Sequence, residues 1–354
     1  MFEERLIELL RERNVSESLI DKVIDSGYII RTFGGFGATP WESVSDKMFG
    51  SKGQSSNFDI DKFVEYIHGN YNFPELPPFV EYTVKSYKEI EEIISDPRRQ
   101  HYINEGRMSF RGQTSQYTYR RKIPNPVRSD KNGREISIFP GIFRQNSAFY
   151  SFNIEHREER SLKYLLHELE PNNLDIHLDS SYAYDIMRVE QHYATQTAGL
   201  DISFDIETAI FFATYKFQFN SEGRAYHTKI KKGDHNGVIY GFCFREPSVK
   251  KTEFLIKDFD LFKTYRPERI LRQNCGLPWF SEYDRNIAIT DLDFIIHLDK
   301  DFDYEGERTP GYMFPNTEED EFYGKLLELK DKHPDILKNI VEYEGSRVLV
   351  EEEI

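Results

Sequence analysis

The sequence predicts an α+β protein with a mixed or antiparallel sheet at its core and helical additions at both ends. Two apolar runs, "NGVIYGFCF" (236–244) and "DFIIHLD" (293–299), have the residue types of buried strands. Amphipathic helical patterns fill both ends of the chain and recur between the strands. Because helices and strands do not alternate regularly enough for a parallel βαβ array, we expect helices on and around one sheet.

We expect three consecutive parts along the chain. A helical extension with a Gly/Pro-rich loop covers 1–105, an α+β core covers 106–328, and a helical tail covers 329–354. The tail is predicted to contain helices on both sides of Pro334, because proline interrupts a helix.

Short helices are predicted in the first part. Leu6 and Leu10 lie on one face of the first helix, and Ser16 is positioned to cap a second helix that stops at Gly27. The segment "SYKEIEEIISD" (86–96) has the apolar spacing of a third.

The core is expected to begin with a strand over 108–110. A helix reaches Tyr193, and "LDIS" (200–203) follows as a short strand. Pro267 favours the first turn of another short helix. Asp205 is positioned to cap a helix whose shared face is predicted to carry Ala209, Phe212, Ala213 and Phe217.

The composition favours a folded protein of the reducing cytoplasm. Its 28 Phe, 22 Tyr and 2 Trp can build an aromatic core, and no apolar run is long enough for a membrane span. The amino-terminal segment lacks the apolar centre of a signal peptide. Cys243 and Cys275 have neither a CxxC partner nor a regular spacing, so we expect no disulfide framework and no metal.

Charge is unevenly distributed along the chain. The net charge of −15 disfavours non-specific binding to duplex nucleic acid. Nevertheless, the stretch from Arg107 to Arg134 has eight basic residues and only one acidic residue, Asp130. A second basic run includes Arg269 and Arg272. These basic residues either form a binding site for an anion or form ion pairs with the acidic residues of the surface. An exposed ion pair contributes only about 0–1 kcal/mol to the stability of the fold.

The motif "FRGQ" (110–113) carries the most specific candidate residue. Arg111 ends an apolar run, and its guanidinium offers a fixed fork of donors for phosphate or carboxylate. Gly112 permits close approach of a backbone. Arg111 is therefore either a clamp for an anionic cofactor or one half of a structural ion pair.

Two further motifs have polar residues at the ends of elements. "EQHY" (190–193) places His192 at a helix end, where it is either an acid or base or a buried structural histidine. Asp201 and Ser203 precede a helix amino terminus, which attracts anions, but such side chains also serve as helix caps. The absence of HExxH and GxSxG argues against a zinc protease and a serine hydrolase.

Seven motifs occur in the order seen in the FRG domain family, named after its Phe-Arg-Gly motif, and the chain resembles that family from about Phe110 to Glu328. The motifs are "FRGQ", "PGIFR", "EQHY", "LDISFDIETAIFFA", "GVIYGFCF", "RPERILRQNCGLPWF" and "PGYMFPNTEED". The family segment QHYGLPTRLLDWT is altered here: Ala194 replaces its glycine, Gln196 its proline and Ala198 its arginine. The function that the family's arginine has at the position of Ala198 is therefore either absent from this chain or supplied by another residue.

The same order resembles the ADP-ribosyltransferase plan, in which an arginine holds NAD, a serine strand supports the cleft and a late Glu or Gln contacts the ribose. The resemblance implies that Arg111, Ser203 and Gln273 take these positions, with Glu190, Glu268 or Glu282 as alternative carboxylates. The candidate catalytic residues are Arg111, Glu190, His192, Tyr193 and Gln273. The candidate NAD-binding residues are Phe110, Arg111, Gly112, Gln113, Asp201, Ser203 and Arg269.

These resemblances imply an ADP-ribosyltransferase-like enzyme that uses NAD, without a metal, to modify RNA, DNA or protein. FRG genes resemble those found with toxin–antitoxin and anti-phage defence modules, so a toxin or defence effector with an antitoxin partner is implied. One alternative is a nucleic-acid binder that uses the basic stretch with Tyr117 and Tyr119. Another is a non-catalytic interaction module whose terminal helices dock a partner, with no membrane involved.

Overall fold

The computed structural model of the protein describes residues 2–25, 60–69, 79–120, 132, 134–138, 167–171, 180–194, 200–244, 255–256, 262–278, 287–335 and 337–347. The chain divides into two compact units that are interleaved along the sequence. Unit 1 comprises Met1–Val80, Gln116–Tyr150 and Phe280–Asp293, and unit 2 comprises Glu81–Ser115, Ser151–Trp279 and Phe294–Ile354.

The described elements are short, as expected for an α+β protein. The helices are α1 (Phe2–Glu12), α2 (Glu17–Asp25), α3 (Ile60–Ile67), α4 (Tyr87–Ile94), α5 (Pro97–Asn104), α6 (Ser180–Tyr193), α7 (Ile206–Thr214), α8 (Glu268–Arg272), α9 (Ile287–Thr290), α10 (Pro310–Met313) and α11 (Glu321–Lys332). The strands are β1 (Val80–Val84), β2 (Met108–Gln113), β3 (Thr118–Arg120), β4 (Arg134–Ile136), β5 (Ile202–Ser203), β6 (Tyr215–Phe219), β7 (Ala225–Lys229), β8 (Val238–Cys243), β9 (Leu255–Ile256), β10 (Cys275–Pro278) and β11 (Leu292–Leu298).

One mixed sheet organises unit 2, which confirms the predicted α+β class. Its strand order is β1-β11-β8-β2-β5-β10-β9. Strand β2 pairs antiparallel with both β8 and β5, and β10 pairs antiparallel with β5. At the other edge, the backbone amide of Asp299 donates to the carbonyl of Val84 over 2.8 Å. Val84 ends β1 and Asp299 directly follows β11, so the carboxyl ends of these neighbouring strands meet and the two strands run in the same direction.

Helix α7 lies directly on strand β2. The cap predicted at Asp205 is present, because its carboxylate accepts from the amide of Glu207 over 3.1 Å. The buried face of α7 joins residues of β2, β8 and β11 in an apolar cluster that includes Phe110 and Phe294. This packing fixes the ends of β2 and β5, which are the strands that carry the candidate residues.

A second apolar cluster of unit 2 surrounds helix α11. Phe322, Tyr323 and Leu326 are buried there with Tyr193 of α6 and Ile270 of α8. Of the two helices predicted around Pro334, the first is confirmed and ends at Lys332, whereas the second was wrong for the described residues. The described segment after Pro334 forms turns and bridges, one of which joins Ala194 to Ile340.

Two predicted element ends were also wrong. Helix α7 stops at Thr214, so Phe217 does not share its face but lies on β6 with 46% of its surface exposed. Strand β2 does not stop at Phe110; it continues through Arg111 to Gln113, paired with β8 along its whole length.

In unit 1, the predicted amino-terminal helices pack together with α3. Leu6, Leu10 and Ile20 are buried between them, and Ile60 and Val64 of α3 pack against this cluster. Arg13 also bonds Asp61 of α3 at 2.5 Å. None of the helices in the described ranges is long and apolar enough to cross a membrane.

Candidate functional site

Three neighbouring strands of unit 2 bring the candidate residues together. Phe110 of β2 pairs with Ser203 of β5, and Ser203 pairs in turn with Cys275 of β10. Arg111 follows Phe110, and Asp201 lies just before β5. Sequence positions far apart along the chain therefore meet at one end of the short strand β5.

Arg111 holds the backbone beside this strand. One guanidinium nitrogen donates a short hydrogen bond to the carbonyl oxygen of Asp201. The arginine is half-buried, so part of its side chain is accessible to solvent. Arg111 therefore anchors the backbone at Asp201 and also borders the surface, while its role as an anion clamp stays a prediction.

A compact cluster forms from His192, Asp201 and Cys275. A nitrogen of His192, a carboxylate oxygen of Asp201 and the sulfur of Cys275 all lie within 4.8 Å of one another. Nε2 of His192 is 3.4 Å from Oδ1 of Asp201. His192 and Cys275 are buried, whereas the carboxylate side chain is 17% exposed. The cluster is thus closed on one side and reaches solvent through Asp201.

The protonation of His192 follows from these neighbours. Burial alone lowers the pKa of the imidazole because it disfavours the charged form. Cys275 and Asp201 act in the opposite direction and together raise the pKa of His192 to about 10. The surroundings of this buried histidine therefore favour a positive charge between the thiol and the carboxylate.

Ser203 and Gln273 connect β5 to the segment before β10. The hydroxyl of Ser203 donates to the carbonyl of Gln273 over 2.8 Å and accepts from the amide of Asp205 over 3.0 Å. The side-chain amide of Gln273 donates to the carbonyl of Met313 over 2.9 Å. Both side chains are buried, so in this conformation they hold backbone segments in place, and their contacts with a cofactor stay predictions.

Glu190 and Tyr193 lie inside the protein rather than at its surface. Glu190 has no exposed surface. The hydroxyl of Tyr193 donates to the carboxylate of Asp320 over 2.6 Å, and burial together with Asp320 raises the pKa of this tyrosine well above its usual value. Tyr193 therefore keeps its proton, and its predicted catalytic role has no support from these contacts.

Arg269, a candidate NAD contact, occupies an aromatic cage. Its guanidinium carbon lies 4.4 Å from the ring centres of Tyr193 and Tyr323 and 4.7 Å from that of Tyr343. One of its nitrogens donates to the carbonyl of His192 over 2.8 Å. These are the contacts of a core residue, and they also fix the backbone of the histidine cluster.

His227 lies against the same cage and makes stability depend on pH. Its ring is stacked 4.3 Å from that of Phe314. Burial, and secondarily the charge of Arg269, lowers the pKa of His227 to about 4. As the pH decreases, His227 is therefore protonated at a higher pH in the unfolded chain than in the folded protein. We expect the free energy of unfolding to fall as the pH decreases from about 6.5 towards 4, by up to about 3 kcal/mol.

Urea unfolding at several pH values measures this effect. His227→Gln should flatten the profile between those limits, because it removes the group whose pKa differs between the folded and unfolded protein. A slope that persists in His227→Gln would assign the pH dependence to other groups.

The remaining residues of "FRGQ" have packing roles. Phe110 belongs to the apolar cluster under α7. At Gly112, a Cβ atom would overlap the carbonyl oxygen of Ala209, so the glycine is what allows α7 to lie on β2. Gln113 is buried as well. Of the four residues, only Arg111 combines a charged group with partial exposure.

The sequence analysis missed Cys275. Cysteine spacing along the chain does not indicate this site, because His192, Asp201 and Cys275 come from separate segments that meet only in the folded protein. The one local feature at Cys275 is its position directly before a glycine in "RQNCG". Glu282 and residues 121–131 of the basic stretch lie outside the described residues.

No family model, curated protein or solved structure matches the chain. The FRG resemblance accordingly stays a prediction from the motifs.

Proposed function

We propose that this chain is an ADP-ribosyltransferase-like enzyme that uses NAD to modify a macromolecule. The observation that carries the proposal is the pairing of Phe110 with Ser203 and of Ser203 with Cys275. It makes neighbours of the arginine strand, the serine strand and the strand that follows Gln273, which supports a shared cleft for these three positions. The proposed role as a toxin or anti-phage effector depends on the FRG resemblance.

In this proposal, Arg111 binds the anionic part of NAD at the end of β2. Its partial exposure and its planar donors suit a pyrophosphate or a ribose hydroxyl. The bond between nicotinamide and ribose breaks, nicotinamide leaves, and a nucleophile of the acceptor bonds to the ribose carbon and loses its proton. Such a reaction needs positioning and electrostatic stabilisation of the developing cation.

The candidates for stabilising this cation differ in their exposure. Gln273 and Glu190 are buried, which disfavours direct contact with NAD in this conformation. The side chain of Glu268 is 35% exposed and lies 3.8 Å from Arg272. Glu268 is therefore the described alternative best able to reach a ligand.

One observation in unit 1 bears on the alternatives. The apolar faces of α1 and α2 are covered by their own cluster with α3. This burial disfavours the amino-terminal helices as docking surfaces for a partner.

The test is turnover of labelled NAD by the purified protein, with and without cellular RNA and protein extract. We expect Arg111→Ala to lower turnover by about 100-fold or more, the usual effect of losing one electrostatic contact to the transition state. Arg111→Lys, which keeps the charge but loses the planar fork, should retain only part of the activity. Arg224→Ala, at an exposed arginine of the β6–β7 turn, serves as the matched control.

The thermal unfolding temperature of each variant separates loss of activity from loss of fold, because Arg111 also anchors Asp201. Label found on RNA or protein identifies the class of acceptor. Undiminished turnover in a folded Arg111→Ala protein, or neither turnover nor transfer by the wild type, would contradict the proposal. RNA binding without turnover would favour the nucleic-acid binder instead.

A further inference from the structure

The cluster of His192, Asp201 and Cys275 contains two buried polar atoms without a hydrogen-bond partner. Nε2 of His192 and Oδ1 of Asp201 are both shielded from solvent and face each other as an ion pair at 3.4 Å, but neither makes a well-aligned hydrogen bond to the described chain. The side chain of His192 is only 2% exposed. Buried polar groups are normally satisfied by hydrogen bonds, so two buried atoms that meet only in this long ion pair leave room for a metal ion, which would take the place of the imidazole proton.

We propose that His192, Asp201 and Cys275 bind a single Zn²⁺ ion. A thiolate, an imidazole and a carboxylate are the donors that zinc uses in proteins, and three of them with one open position are typical of its reactive sites. The thiolate disfavours Mg²⁺ and Ca²⁺, which prefer sites made of oxygen donors. This site goes beyond the proposed function and differs from the expectation, drawn from the sequence, that no metal is used.

The distances suit a tetrahedral ion. Donors around zinc at bond lengths of about 2.0–2.3 Å are roughly 3.4–3.8 Å apart. Nε2 of His192 and Oδ1 of Asp201 lie 3.4 Å apart. The sulfur of Cys275 is within 4.8 Å of a ring nitrogen of His192 and a carboxylate oxygen of Asp201, so at most a small movement of the cysteine side chain completes the geometry.

The backbones of the three donors are held before any ion binds. Arg269 bonds the carbonyl of His192, and Arg111 bonds the carbonyl of Asp201. Next to Cys275, the carbonyl of Asn274 accepts from the amide of Phe204 over 2.9 Å. Because these backbone segments are already fixed, less conformational entropy is lost when the ion binds. The side chain of Asp201 is 17% exposed, so in this proposal a water molecule from this side supplies the fourth ligand.

The first experiment adds Co²⁺ to chelator-treated, reduced protein and records the absorption spectrum. We expect a thiolate-to-cobalt charge-transfer band and the intense visible bands of a four-coordinate ion, saturating at one equivalent. One equivalent of Zn²⁺ should remove both. A weak, six-coordinate spectrum without the thiolate band would overturn the proposal in the wild-type protein itself, whatever the variants do.

The second experiment measures Zn²⁺ affinity by competition with a chromophoric chelator. Loss of a residue that only orients a metal ligand lowers metal affinity by roughly 10- to 100-fold. We expect a larger loss of Zn²⁺ affinity in each of three variants that remove a ligand: Cys275→Ser, His192→Gln and Asp201→Asn. Cys243→Ser is the matched control, because this second cysteine is also buried but lies outside the cluster. Wild-type affinity in Cys275→Ser, or equal losses in both cysteine variants, would refute the site.

The third measurement separates a metal ligand from a reactive thiol paired with His192. Because Cys275 is buried, its alkylation reports transient opening of the site, and the reaction is followed by peptide mass spectrometry until the metal-free protein is fully modified. Zn²⁺ should slow this reaction at least tenfold, since the bound ion holds the site closed and occupies the sulfur. Equal rates of complete modification with and without Zn²⁺ would oppose the proposal. None of these measurements depends on NAD turnover, so the zinc site and the transferase activity can each fail alone.

Discussion

Arg269→Ala is expected to lower the free energy of unfolding by about 3–5 kcal/mol, the range found when one partner of a buried charged group is removed. The guanidinium has no exposed surface and is stabilised by three tyrosine rings and by the nearby Asp320. Its removal leaves a cavity, an unpaired carbonyl at His192 and an uncompensated buried carboxylate at Asp320. Urea unfolding followed by circular dichroism measures the loss.

Arg272→Ala is the matched control on the same helix. The side chain of Arg272 is 22% exposed and bonds Glu319 at 2.7 Å, so its removal should cost less than about 1 kcal/mol. The double variant Arg269→Met with Asp320→Asn should be less destabilised than the sum of its single changes, because the two groups compensate each other. Similar losses for Arg269→Ala and Arg272→Ala would show that the cage contributes little.

The second large effect is expected for Gly112→Ala. A methyl group at this position would overlap the carbonyl oxygen of Ala209 and crowd the amide nitrogen of Ala213, which are backbone atoms of α7. Backbone within a helix cannot turn aside as a side chain can, so the helix must move away from β2. We expect a loss of about 3 kcal/mol or more, at the upper end of the range for overpacked cores.

Gly324→Ala provides the comparison, since it adds the same methyl group inside helix α11. The nearest atom would be 3.4 Å away, an ordinary contact, and alanine favours helices over glycine by about 1 kcal/mol. This variant should therefore unfold at the same or a higher urea concentration than the wild type. A Gly112→Ala protein as stable as Gly324→Ala would mean that α7 does not need its close approach to β2.

Much of the fold could be predicted because its strands and caps have local causes. The apolar run of β8 and the cap at Asp205 depend on neighbouring residues alone. The end of α7 could not be predicted, because the aromatic residues after Thr214 fit both the period of a helix, about 3.6 residues, and the period of a strand, two residues. Phe217 continues the helical face of Ala213, but Tyr215, Phe217 and Phe219 also alternate as in the observed strand β6.

The candidate site could be predicted only in part, because its geometry depends on pairing between distant segments. The sequence identified Arg111, His192 and Asp201 individually. It could not reveal that Cys275 lies beside them, because the register of β10 on β5 follows from tertiary packing rather than from a local pattern. Gly112 was assigned to cofactor approach, whereas the close contact it permits is with helix α7.

The position of β1 in the sheet has a consequence for synthesis of the protein on the ribosome. Among the described strands, the neighbour of β1 in the sheet is β11, which is translated after all the other strands. The emerging chain must therefore carry β1 without this partner while β2 and β8 can already pair. The bond from the amide of Val341 to the carbonyl of Tyr193 forms later still. The backbone next to His192 is thus fully braced only after both β11 and Val341 have left the ribosome.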